Sequence, residues 1–177
     1  MHHFAYRNGV LHCEDVSLEA VARELGTPAY VYSDATLRRH YAVLAEAFAN
    51  RDVLIAYAVK ANSNIGVLAT LASVGAGADV VSGGEMLRAL EAGIPANRIV
   101  FSGVAKTVEE MKLGLERGSH QFNVESMPEL LRLSRVAKEM GKRAPIAFRV
   151  NPHVEAGGHA HISTGSAEHK FGIARSE

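Results

Sequence analysis

Cysteine is nearly absent: Cys13 stands alone in 177 residues. That excludes an intrachain disulfide framework and suits a reducing compartment. Net charge is absent as well, with Lys and Arg numbering 19 and Asp and Glu 19. Without a basic block, bulk charge does not recruit nucleic acid or a membrane surface. No apolar run approaches the ~20 residues that span a bilayer. The first residues, Met1–Asn8, lack the apolar core of a signal peptide. A cytoplasmic protein is expected. Nucleotide-binding fingerprints are missing too. Gly75-Ala76-Gly77 has Val80 where a third glycine should stand, and it leads into a strand pattern. No Walker pattern occurs.

What is present is an ordinary globular composition, 47% apolar and 21% charged. The length suits one domain with a full core, or a domain and a half. Short apolar runs recur at Val53–Val59, Ala78–Val81, Arg98–Phe101, Gln121–Val124 and Pro145–Val150, starting 20 to 25 residues apart. Such runs fit parallel strands buried on both faces. Helical patterns with start and stop signals lie between them. Ser82–Glu85, Thr107–Glu110 and Ser126–Glu129 read as capping boxes, and Gly93, Gly118 and Gly141 as stops. Repeated strand–helix units predict an α/β fold, and here a (β/α)₈ TIM-type barrel rather than a doubly wound sheet. About five of the eight units fit the chain.

The first 35 residues differ. Phe4–Tyr6 and Val10–Leu11 flank an Asn8-Gly9 turn, a hairpin signal. Ser17 caps a short helix that Gly26 ends, and Ala29–Tyr32 reads as a strand. Residues 1–35 are therefore expected to belong to a β domain, and 36–177 to a partial barrel.

Functional groups of such barrels sit at the C-terminal strand ends. Lys60, Ser82, Ser102, Glu125, Arg149 and Asn151 fall there, with Asp79 inside the second strand. Lys60 follows an uncharged run. An ammonium there is expected to be partly desolvated, which favours the neutral amine that attacks an aldehyde. The bland alternative is a lysine whose stem covers apolar surface and whose head reaches water. Arg149 and Asp79 are the lone charges in their strands, and an Asp79–Arg149 pair is expected, either at the site or as a structural ion pair. Ser82 and Glu85 are accounted for as caps. His153, His159, His161 and His169 crowd one glycine-bearing loop, a candidate lid. No familiar ligand register accompanies them, so no metal site is expected.

Tyr57-Ala58-Val59-Lys60-Ala61-Asn62 resembles the cofactor-lysine motif of the fold-type III pyridoxal-phosphate decarboxylases. Ala78–Glu85, Ile99–Gly103, Gln121–Ser126, Arg149–Pro152, Ile162–Gly165 and Lys170–Ile173 resemble the diaminopimelate decarboxylase branch. The resemblance implies that Lys60 is the Schiff-base lysine for pyridoxal 5'-phosphate, and that Asp79 and Arg149 lie near the cofactor. It implies decarboxylation of meso-diaminopimelate to L-lysine and CO₂ by a homodimer. Alternatives are another amino-acid decarboxylase of this fold, or a non-catalytic cofactor-binding fragment. His153 and His161 stand where the family usually has an acidic residue and a tyrosine, and His169 where a small polar residue is common. The family's cofactor-stacking histidine, phosphate loop, pyridine-nitrogen glutamate and second β domain lie beyond the matched motifs. The chain thus resembles the N-terminal part of the enzyme and is expected to be inactive alone, since five strands cannot close the barrel.

Overall fold

The computed structural model describes residues 2–151 and 172–174. Strands β1 (Phe4–Arg7), β2 (Val10–Cys13) and β3 (Val16–Ser17) form an antiparallel sheet. Asn8 and Gly9 both take positive φ, 49° and 81°, as a two-residue turn matched to strand twist requires. Helix α1 (Leu18–Leu25) follows, capped by the Ser17 side chain and ended at Gly26. Helix α2 (Asp34–Ala47) starts at Ser33, whose Oγ accepts from the Thr36 amide. Glu14 ties the N-terminal sheet to this helix: Oε1 accepts from Ser33 Oγ at 2.7 Å and from the Ala35 amide at 3.0 Å.

Beyond α2 the strand–helix rhythm appears as expected. Strand β4 (Ala56–Ala58) leads to α3 (Ile65–Ser73), β5 (Gly77–Val80) to α4 (Gly83–Glu91), and β6 (Ile99–Phe101) to α5 (Val108–Arg117). Strand β7 (Gln121–Val124) leads to α6 (Met127–Glu139) and then β8 (Ile146–Phe148). All five strands pair in parallel in the order β4-β5-β6-β7-β8. Each strand lies beside its sequence neighbour and the order never reverses. That is the winding of a (β/α) barrel; a doubly wound sheet reverses direction at its switch point. Two short strands, β9 (Val150–Asn151) and β10 (Ile173–Ala174), pair separately.

The strands have two unlike faces. Ala78, Val80, Ile99, Phe101, Phe122 and Val124 are all 0% exposed and share a core with Met86, Met111 and Leu133 of the helices. Their neighbours Asp79, Gln121 and Asn123 are half-buried on the other face. The expected burial of uniformly apolar runs thus gives way to alternation along β5, β6 and β7, with Asp79, Gln121 and Asn123 on the inner face. At one point the helix layer approaches very closely. A Cβ on Gly114 of α5 would lie 2.6 Å from Phe122 Cζ, and Phe122 is fully buried with no room to withdraw. Gly114→Val is expected to lower the unfolding free energy by about 1–3 kcal/mol. Denaturant titration against Gly118→Val, which has open space around it but a φ of +76°, separates packing from backbone strain.

Several expectations are corrected. Ala29–Tyr32 is not a strand; Tyr30 is 92% exposed and the segment joins no described sheet. Its residue types favour pairing but supply no partner. The run at 53–59 forms a strand only over Ala56–Ala58, and the fifth run breaks at Arg149 between β8 and β9. Of the three capping boxes only Thr107–Glu110 is reciprocal. The Glu85 carboxylate reaches one residue further back, to the Val81 amide at 2.8 Å, and the Glu129 carboxylate to the Glu125 amide at 2.9 Å. Glu110 also accepts from the Gly83 amide at the start of α4. Burial pushes its carboxyl up, but the hydrogen bonds from Thr107 and Gly83 outweigh it and hold Glu110 below its usual range.

Candidate active site

Lys60 lies in a single helical turn, Val59–Ala61, directly after β4. Val59 is completely buried and anchors that turn. Asp79 lies in β5, in register with Ala58, and Arg149 follows β8. A cavity of about 430 Å³ is lined by all three, together with Ser102, Asn123 and Glu125. The three residues singled out from sequence therefore share one space. The expected desolvation is not supplied by the described residues, among which Lys60 is exposed. A larger cavity, about 610 Å³, lies between the Tyr30–Asp34 segment and Asn62–Thr70, and neither lysine nor arginine lines it.

The expected Asp79–Arg149 pair does not form. Arg149 Nη1 donates to Glu125 Oε2 at 2.9 Å, with the Glu125 side chain 2% exposed and that of Arg149 43%. Glu125 follows β7, the strand next to β8, whereas β5 lies three strands away along the arc. At ~4.8 Å per strand, that gap is too wide for the pair. Asp79 Oδ1 instead accepts from Ser102 Oγ. Asn123 Nδ2 donates to Ser102 Oγ at 2.9 Å, and Gln121 Nε2 donates to Asn123 Oδ1 at 2.8 Å.

Beneath the cavity lies a closed ring of polar contacts that sequence reasoning missed. The Lys106 side chain is 0% exposed and pairs with Glu129 at 2.6 Å. Its ammonium also donates to the carbonyls of Gly103 and Asn123, both at 2.7 Å, so all three protons are used. The other Glu129 oxygen takes the Glu125 amide, and Glu125 Oε1 takes the Gly103 amide at 3.0 Å. Gly103 sits at φ +102°, and a Cβ there would stand 3.2 Å from the Val81 carbonyl oxygen. Lys106, in Val104-Ala105-Lys106-Thr107, reads from sequence as an ordinary loop lysine before a helix cap, and nothing local marks its burial. Glu125 and Ser102 carried a signal, since each directly follows its strand.

The donor set fits pyridoxal phosphate. The cavity falls in the size range of small-ligand sites. Among the described residues it presents one accessible primary amine, Lys60, for an aldehyde carbon, beside a hydrogen-bonded carboxylate and a guanidinium. The nearby lysine, Lys106, is buried and saturated and so is withdrawn from this chemistry. Among the described residues no cluster of three His, Cys, Asp or Glu could hold a metal, and no helix is long and apolar enough to cross a membrane. His153, His159, His161, His169 and Lys170 lie outside the described residues.

Comparison with known proteins agrees with this geometry. The family model for the pyridoxal-dependent decarboxylase, pyridoxal binding domain, matches residues 34–177. The diaminopimelate decarboxylase of Pseudomonas fluorescens is 56% identical over 172 residues, 97% of this chain and 41% of the relative. That of Haemophilus influenzae is 50% identical over 100% of this chain and 43% of its own length. The chain thus spans about two fifths of the curated relatives it matches. The crystal structure of diaminopimelate decarboxylase from M. jannaschii with L-lysine superposes with a TM-score of 0.89 at 38% identity, over 98% of this chain and 41% of that one. The lysine/ornithine decarboxylase of Vibrio vulnificus shares the fold, with a TM-score of 0.62 at 23% identity over 73% of this chain and 38% of its own. By motif, winding and match alike, the chain belongs to the pyridoxal-dependent decarboxylases, whose pyridoxal-binding barrel domain it carries in part.

Proposed function

We propose that this chain is the N-terminal, cofactor-binding part of a diaminopimelate decarboxylase. The reaction removes the carboxylate at the D-configured centre of meso-diaminopimelate and yields L-lysine and CO₂. The supporting observation is the identity of 50–56% to diaminopimelate decarboxylases along nearly the whole chain. The substrate class fits the L-lysine in the M. jannaschii structure. A cytoplasmic homodimer with residues 1–35 in a β domain belongs to the same reading.

In this reading Lys60 would hold pyridoxal phosphate, its Nζ condensing with the aldehyde carbon with release of water. When bound, the cofactor supplies the electron sink that stabilises the carbanion left by CO₂. Asp79 presents a fixed negative charge on the Lys60 side of the cavity. Arg149, anchored by Glu125, presents a positive one on the opposite side. The two charges orient the reactants, and the apolar layer behind the strands holds that orientation rigid. The test compares substrates. The enzyme carrying this chain is expected to release CO₂ from meso-diaminopimelate far faster than from L-ornithine or L-arginine. The opposite order would assign it to another branch of the fold.

A further inference from the structure

Four side chains on β5, β7 and the residue just after β6 form one hydrogen-bonded file: Gln121 to Asn123, Asn123 to Ser102, Ser102 to Asp79. The file has a direction. Gln121 donates its amide N–H to Asn123 Oδ1, which settles that the other end of the Asn123 amide, Nδ2, faces Ser102. Asn123 donates to Ser102 Oγ, so the single hydroxyl proton of Ser102 points to Asp79. Asp79 therefore accepts from Ser102 through Oδ1. A protonated Asp79 donating into the file would require all three neutral groups to reverse together. The backbone under the file is held as well, since the Asn123 carbonyl is bound by the buried Lys106 ammonium.

We infer that Gln121, Asn123 and Ser102 are positioning residues that fix the Asp79 carboxylate, leaving Oδ2 to the cavity it shares with Lys60. They need not touch substrate or cofactor to act. The charged groups lining that cavity are Lys60, Asp79, Glu125 and Arg149. Glu125 is engaged by Arg149 and the Gly103 amide, which leaves Asp79 as the anion whose orientation the file decides. The inference rests on the reading that Lys60 holds the cofactor.

The experiment uses the pyridoxal-phosphate-loaded enzyme without substrate, so that no turnover is read. The absorbance of the bound cofactor is followed against pH, and its midpoint reports on charge beside the Lys60 nitrogen. Borohydride fixation of the cofactor to the Lys60 peptide is checked first; failure there overturns the cofactor reading itself. With fixation intact, Asp79→Asn is expected to move the midpoint toward acid. Ser102→Ala and Asn123→Leu are expected to move it the same way by about half a unit, about threefold in proton affinity, and Ser102→Thr to restore it. Ser102→Ala removes only one hydroxyl, so it decides the matter if Asn123→Leu fails to fold. An unmoved midpoint in Ser102→Ala, or one moved toward base, overturns the inference. So does an unmoved midpoint in Asp79→Asn.

Discussion

Lys60→Ala is expected to abolish decarboxylation in the enzyme that carries this chain and to prevent borohydride from fixing the cofactor to the protein. The reason is the absence of a substitute. Among the described residues Lys106 is the other lysine close to this cavity, and its three protons are committed to Gly103, Asn123 and Glu129 at 2.6–2.7 Å. Freeing it means breaking a buried ion pair. A nucleophilic amine contributes by splitting one difficult step into easier ones, and without it the cofactor binds as an aldehyde in a cavity. The check is peptide mapping after borohydride treatment, with CO₂ release measured alongside. Label on Lys106, or retained turnover in Lys60→Ala, would move the chemistry elsewhere.

Lys106→Met is expected to be the most destabilising single change near the site. It strands the Glu129 carboxylate, 7% exposed, and removes the donor from two carbonyls. Breaking one partner of a buried pair costs about 3–5 kcal/mol, whereas replacing both by apolar groups is often close to neutral. Lys106→Met combined with Glu129→Leu should therefore recover part of the loss, although the Glu125 amide then loses its acceptor. Denaturant midpoints of the two single variants and the double variant measure the coupling. Additive losses would show that the pair is not a unit.

Much of the fold was legible because its signals are local. Thr107 and Ser126 cap helices through their own side chains, Gly118 takes a left-handed φ of +76° at a helix end, and Asn8-Gly9 closes a hairpin. Lys60 was legible as the first charge after an uncharged strand. The site wiring was not legible, because it depends on distances across strands. Charge matching in the sequence pairs Asp79 with Arg149. The sheet order instead places Glu125 on the neighbouring strand and leaves Asp79 to a neutral hydroxyl. Lys106 was invisible for the same reason: its three acceptors come from residues 103, 123 and 129, and only the folded arc brings them around one nitrogen. The alternation of Gln121-Phe122-Asn123-Val124 was in plain view, and reading it as a uniformly buried run concealed the polar inner face.

That alternation sorts the strand residues by face. Residues 78, 80, 99, 101, 122 and 124 pack in the core with the helices, and residues 79 and 123 line the cavity. A population of random variants would divide along the same line. Changes at the helix-facing positions would deplete the protein from the cell whatever its chemistry. Changes at the cavity-facing positions would leave abundance near normal and impair the site. Neighbours one peptide apart would thus evolve under different pressures, one set by folding and the other by catalysis.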